Sequence, residues 1–132
     1  MATEDQIRTT VAGYVDAYAA NDRAAFLELW AGDGVLEDPV GTPSHAGTAA
    51  LGAFWDGARE LADRIELVPQ SVIVAGGEAA MNFEVHAHMG DNGLVIKVID
   101  IMTFDDDGRL ATVRAFWDMA SATPLEAGTT AS

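Results

Sequence analysis

The sequence predicts an α+β domain: a cone-shaped, curved antiparallel or mixed β-sheet covered by three N-terminal helices and enclosing an apolar pocket. Two observations carry that expectation. Up to residue 62 the apolar residues recur at helical spacings of three and four, whereas from Arg64 onward they alternate, and the turn sequences AGG, GDNG and DDDG separate the alternating runs. Helices followed by a strand meander pack as a helical layer on one face of a sheet, and a curved sheet can close like a cone around a pocket.

The first helix is expected over residues 4 to 20, where Ile7, Val11, Tyr14, Val15 and Tyr18 form one apolar stripe with Tyr14 at its middle. Asn21 or Asp22 can cap a second helix, DRAAFLELW, with Phe26, Leu29 and Trp30 inward and Gly32 and Gly34 ending it. A short extended piece, VLEDPVG, turns at its proline and glycine. The segment GTAALGAFWDGARELA then reads as a third helix with Leu51, Phe54, Trp55, Ala58 and Leu61 inward.

Four strands follow: RIELVPQSVIVA, EAAMNFEVHAHM, LVIKVIDIMTF and RLATVRAFWDMA. The tail SATPLEAGTTAS has little to bury and is expected to be mobile, so residues 1–132 read as one domain with a core over about residues 5–120.

Composition narrows the functions. The chain has 132 residues, 49% hydrophobic and 21% charged, enough to bury a core without staples. Its 21 acidic against 7 basic side chains give a formal net charge of −14, which repels nucleic acid and anionic lipid surfaces. There is no cysteine, so disulfides, thiolate metal sites and cysteine nucleophiles are excluded together. MATEDQIRTT is acidic and polar where a secretory signal would be basic and then apolar, and no apolar run approaches membrane-spanning length. A soluble, cytoplasmic protein is the expectation.

One strand poses a chemical question. In LVIKVIDIMTF, residues Leu94, Ile96, Val98, Asp100, Met102 and Phe104 share a face, and Val95, Lys97, Ile99, Ile101 and Thr103 share the other. Asp100 is the only ionisable group in a row that reads as core. An unpaired carboxylate there keeps its proton or costs several kcal/mol. A structural aspartate tied to backbone amides or an arginine is the other reading.

In the preceding strand Met81, Phe83, Val85, Ala87 and Met89 face one way, and Asn82, Glu84, His86 and His88 the other. Two histidines without a third ligand argue for a polar or subunit-contacting face and against a metal site. In the last strand Val113, Ala115 and Trp117 continue the apolar face, and small Ala115 leaves room for a flat ligand. By themselves, Asp38 in LEDPVG reads as a turn residue before a proline, and Tyr14 as a core tyrosine.

Together these residues carry a resemblance. EDPVG at 37 to 41, preceded by YVDAYAANDRAAFLELWAGDGVL and followed by GTAALGAFW, is similar to the bacterial ketosteroid isomerases, steroid Δ5-isomerases of the nuclear-transport-factor-2-like, SnoaL-like superfamily. VIDIMTFDDDGRLATVRAFWDM resembles the last hairpin of the same family, so the likeness spans about residues 5 to 120. It implies that Asp38 is the proton-shuttling base, that Tyr14 and Asp100 form the oxyanion hole, and that no cofactor or metal is needed. It also implies a 3-oxo steroid as substrate and a homodimer paired through the outer sheet face.

Ketosteroid isomerase is itself the established case of a carboxylic acid kept neutral so that it can donate a hydrogen bond. This sequence adds the strand parity that sets Asp100 among apolar neighbours. The expected walls are Phe54, Trp55, Met81, Phe83, Val98, Met102, Val113, Ala115 and Trp117. Relatives with tyrosines in place of Trp30 and Trp55 have a hydroxyl network behind the catalytic tyrosine. An indole N–H can donate but cannot accept, so that network is altered here.

Three other functions share the fold. Epoxide opening would want an inward arginine, and Arg114 falls on the outer face with Thr112 and Asp118. A polyketide cyclase performs similar enolate chemistry on a flat substrate. A steroid or lipid carrier would have no need of two carboxylates and a tyrosine.

Overall fold

In the computed structural model, which describes residues 1–125, helices α1 (Glu4–Ala20), α2 (Arg23–Glu28) and α3 (Thr48–Leu61) accompany seven strands. These are β1 (Trp30–Glu37), β2 (His45–Ala46), β3 (Arg64–Ala75), β4 (Glu78–Met89), β5 (Asn92–Phe104), β6 (Leu110–Phe116) and β7 (Thr123–Pro124). They form one mixed sheet in the order β2-β1-β6-β5-β4-β3, with β7 on β5 beyond the end of β6. The predicted α+β architecture of three helices and a curved sheet is the one observed. No helix among the described residues is long and apolar enough to cross a membrane.

Local chemistry sets the helix ends. Thr3 and Gln6 form a reciprocal capping box at the start of α1, and Asn21 closes it in the left-handed conformation, φ 52°. The Asp22 side chain accepts from the Ala25 N–H and starts α2. The buried stripe of α1 is Ile7, Val11, Tyr14, Ala17 and Tyr18.

Three expectations need correction. The second helix stops at Glu28, and Trp30 already pairs with Leu110 as the first residue of β1, which runs parallel to β6. Gly32 and Gly34 lie inside this strand, where the register shifts between Trp30 and Val35. At Gly34 a Cβ would stand 2.7 Å from the Trp30 ring and 3.2 Å from the Leu110 carbonyl, so the glycine serves close packing, not helix termination. Leu61, expected inward, is 78% exposed in the last turn of α3.

The third correction concerns the tail. Residues 119–121 form a single 3-10 turn, β7 pairs Pro124 with Leu94 and Thr123 with Val95, and Leu125 is buried. The segment expected to be mobile is thus paired as far as it is described, and residues 126–132 lie outside the described residues.

Candidate active site

Asp100 is held by register. β5 pairs Asp100 with Met81 of β4 on one side and Ala115 of β6 on the other, so both cross-strand neighbours are apolar. The carboxyl is 2% exposed, and its Oδ1 meets no hydrogen-bond partner among the described residues. Burial first, and then the like charge of Asp38, push its pKa well above the ordinary aspartate value. Such a placement favours the neutral form of the carboxyl over the charged one.

Asp38 leaves the end of β1 in a tightly held loop. The Asp38–Pro39 peptide bond is cis, the Val40 N–H donates to the Ala115 carbonyl at 2.8 Å, and Glu37 accepts from Arg114 Nε at 3.1 Å. The Trp117 indole N–H donates to Asp38 Oδ1 at 2.5 Å, tying the loop to the chain after β6. Burial raises the Asp38 pKa; the Trp117 hydrogen bond and the nearby His45 pull it back. Two carboxyls in one cavity thus sit in different environments, one hydrogen-bonded at the loop and one dry within the sheet.

Tyr14 projects from the middle of α1 and is buried. Its hydroxyl stays protonated: burial lifts its pKa well above the usual phenol value, and the neighbouring Tyr18, Asp100 and Asp38 act in the same direction. Tyr14, Asp38 and Asp100 all border one largely apolar cavity. Its mouth is open to solvent, and the free space inside is about 160 Å³.

The cavity has a direction. β5 contributes Ile96, Val98 and Asp100; β4 contributes Val85 and Phe83, which stand opposite Ile96 and Val98; β3 contributes Ile65 and Leu67. Asp100 is the last lining residue along β5, and beyond it Met102 and Val113 pair in solid core. Of the residues expected as walls, Phe54, Phe83, Val98 and Trp117 line the cavity. Trp55, Met81, Met102, Val113 and Ala115 do not; all five are buried in the core around it. Helical spacing for Trp55 and strand parity for the other four gave the right face but not the depth.

Tyr18, Ala58, Ile65, Leu67, Val85 and Ile96 are lining residues that were not singled out. Ile96 and Val85 share strand faces with Asp100 and Phe83, Tyr18 follows Tyr14 by one helical turn, and Ala58 follows Phe54 by one, so the signal was present for four of them.

The two tryptophans singled out in the sequence are both buried. Trp55 packs within the aromatic cluster, 4.8 Å from the Tyr18 ring and 4.7 Å from Phe26, with the Arg59 guanidinium 4.5 Å above its ring. The Trp30 indole nitrogen finds no acceptor among the described residues. On the outer face His86 is 7% exposed, not solvated, and its Nε2 lies 3.0 Å from Glu84; His88 Nε2 lies 2.7 Å from Glu66.

The model of the SnoaL-like domain family matches residues 11–113. A steroid Delta-isomerase from Nocardioides simplex is 39% identical over 112 residues, covering 85% of this chain and 89% of that protein. Among solved structures, SalBIII, an epoxide hydrolase/cyclase-like enzyme of pyran ring formation in the polyether salinomycin, superposes with a TM-score of 0.85 at 21% identity, over 95% of this chain and 100% of that one. A computationally designed 17-OHP binder gives 0.81 at 20% identity, over 91% and 96% of the two chains. At these identities the structural likenesses establish the fold alone.

Proposed function

The chain belongs to the SnoaL-like family, and on that premise we propose that it is a steroid Δ-isomerase that moves the double bond of a 3-oxo-Δ5-steroid into conjugation. The observation that carries this reading is that one largely apolar cavity is lined together by Asp38, hydrogen-bonded to Trp117, by the buried Asp100, whose neutral form is favoured, and by Tyr14. The kinship with the Nocardioides steroid Delta-isomerase supports it.

Asp38 is the base. It takes a proton from C4, next to the carbonyl, and returns it at C6 once the charge has spread along the dienolate. Tyr14 and Asp100 donate to the carbonyl oxygen as it becomes an enolate; in a water-poor pocket these hydrogen bonds strengthen as negative charge accumulates. Lining residues from β3, β4 and β5 hold the rings. The residues supply the whole proton inventory, so the reaction as proposed draws on no cofactor.

The test is the ultraviolet band of the conjugated enone after mixing with 5-androstene-3,17-dione. A fast rise, abolished in Asp38→Asn and strongly reduced in Asp100→Leu, is the expected result. No rise above the spontaneous rate would leave a pocket without this function, and cyclase substrates and simple ligand binding would be next.

The reading includes a symmetric homodimer through the outer face of the sheet. Ile99 and Phe116 are cross-strand partners there, 47% and 42% exposed, and form an apolar patch of the kind an isologous contact covers. Sedimentation at micromolar concentration should give a dimer that Ile99→Glu dissociates; a monomer in the unmutated protein removes this part.

A further inference from the structure

Tyr18 follows Tyr14 by four residues on α1, so both rings stand on the stripe facing the sheet, with centroids 5.4 Å apart. Both border the cavity. The Tyr18 ring is fixed from behind: Trp55 lies 4.8 Å away, Phe26 meets it edge-on at 5.7 Å, and the Arg59 guanidinium stands 5.8 Å from it while donating to the Tyr18 carbonyl at 3.0 Å. A buried phenol clamped on three sides at the wall of a site has little freedom except rotation of its hydroxyl.

The polar neighbourhood leaves that hydroxyl one task. The side chains lining the cavity that carry polar groups are Tyr14, Tyr18, Asp38, Asp100 and Trp117, and the Trp117 N–H is already used by Asp38. The Trp30 indole, buried nearby in the same aromatic cluster, makes no hydrogen bond among the described residues. Tyr14 and Tyr18 stand one helical turn apart at the same wall of the cavity, close enough for each phenol to act on the other's proton. If Tyr14 turns its proton toward a ligand oxygen, its own oxygen is left to accept. Tyr18 is then the lining hydroxyl that can donate to it.

We propose that Tyr18 is a positioning residue of this site: its hydroxyl donates to Tyr14 when Tyr14 donates to the substrate oxygen, so the two phenols work as one relay. Donation from Tyr18 polarises the Tyr14 O–H and makes it a stronger donor to a developing anion. The relay rests on the oxyanion-hole role proposed above for Tyr14, and the experiment separates the two.

Tyr18→Phe, Tyr14→Phe and the double variant are compared in turnover of 5-androstene-3,17-dione and in the fraction of bound equilenin present as phenolate, read by fluorescence. Phenylalanine keeps the ring contacts to Trp55, Phe26 and Arg59. Tyr18→Phe should lower kcat by about three- to tenfold with KM little changed, and reduce the phenolate fraction. In the Tyr14→Phe background it should cost nothing further. Equal losses in both backgrounds would make Tyr18 an independent donor or a packing residue and overturn the relay. An unchanged kcat and phenolate fraction in Tyr18→Phe, with Tyr14→Phe strongly impaired, would refute the relay and leave the isomerase reading standing. A fully active Tyr14→Phe would remove the role on which both depend.

Discussion

Replacing Asp100 by asparagine should make the protein progressively more stable, relative to the parent, as pH rises. Asp100 is 2% exposed between Met81 and Ala115, no cation among the described residues acts on it, and the charge that does, Asp38, is of like sign. Its folded pKa is therefore raised, whereas in the unfolded chain it ionises near the ordinary value of about 3.9. A raised folded pKa means that the native state binds the extra proton. The stability from this group is complete below the unfolded pKa, falls as pH rises, and levels off once the folded pKa is passed. The slope is at most about 1.4 kcal/mol per pH unit, so up to about 4 kcal/mol is lost between about pH 4 and pH 7. Asparagine has nearly the same shape and no such titration. Asp38, also raised, is common to both proteins and drops out of the difference. Urea unfolding of the two proteins at each pH unit across that interval gives the curve. A difference independent of pH, or one in which the parent gains on the variant as pH rises, would show that Asp100 is ionised in the fold and would end the neutral-acid argument.

Other perturbations probe other links. Trp117→Phe removes the hydrogen bond that opposes burial at Asp38, so the acid limb of the kcat/KM profile should move to higher pH; an unmoved limb would mean that Asp38 is not the group titrating there. Met102→Ala, in solid core off the cavity, should cost about 2–5 kcal/mol in thermal unfolding with KM nearly unchanged, whereas Phe54→Ala on the wall should raise KM; the reverse pattern would show that the pocket extends past Asp100. Gly34→Ala drives a methyl toward the Trp30 ring and should cost about 1–3 kcal/mol in urea unfolding; a neutral effect would show that β1 gives way there.

Much of the fold was written locally. The stripe Ile7, Val11, Tyr14, Tyr18 and the alternation along residues 64–75, 78–89 and 94–104 need only neighbours three, four or two positions away, and those helix and strand assignments agree with the structure. The same parity singled out Asp100 as a carboxyl among core residues. Asp38 was different: its local sequence fits a turn, and only the wider resemblance raised it. The second helix failed because Gly32 and Gly34 look like helix stops from sequence, while their reason is the Trp30 ring folding over a strand.

What the sequence determined by itself, then, was the class of the first and third helices and of the long strands, the face most of their side chains take, and the presence of one carboxyl where charge is costly, because backbone geometry ties these to residue spacing. The tertiary structure decided how deep each apolar residue lies. It put Met102 and Val113 in solid core and Ile96 and Val85 on the wall, because the cavity ends at Asp100 and parity is blind to position along a strand. It also joined Trp117 to Asp38, 79 residues away, and set Tyr18 against Tyr14 with Arg59 behind. Such contacts arise where the parallel β1–β6 pairing and the covering helices bring distant segments together, and no local spacing encodes where those segments meet.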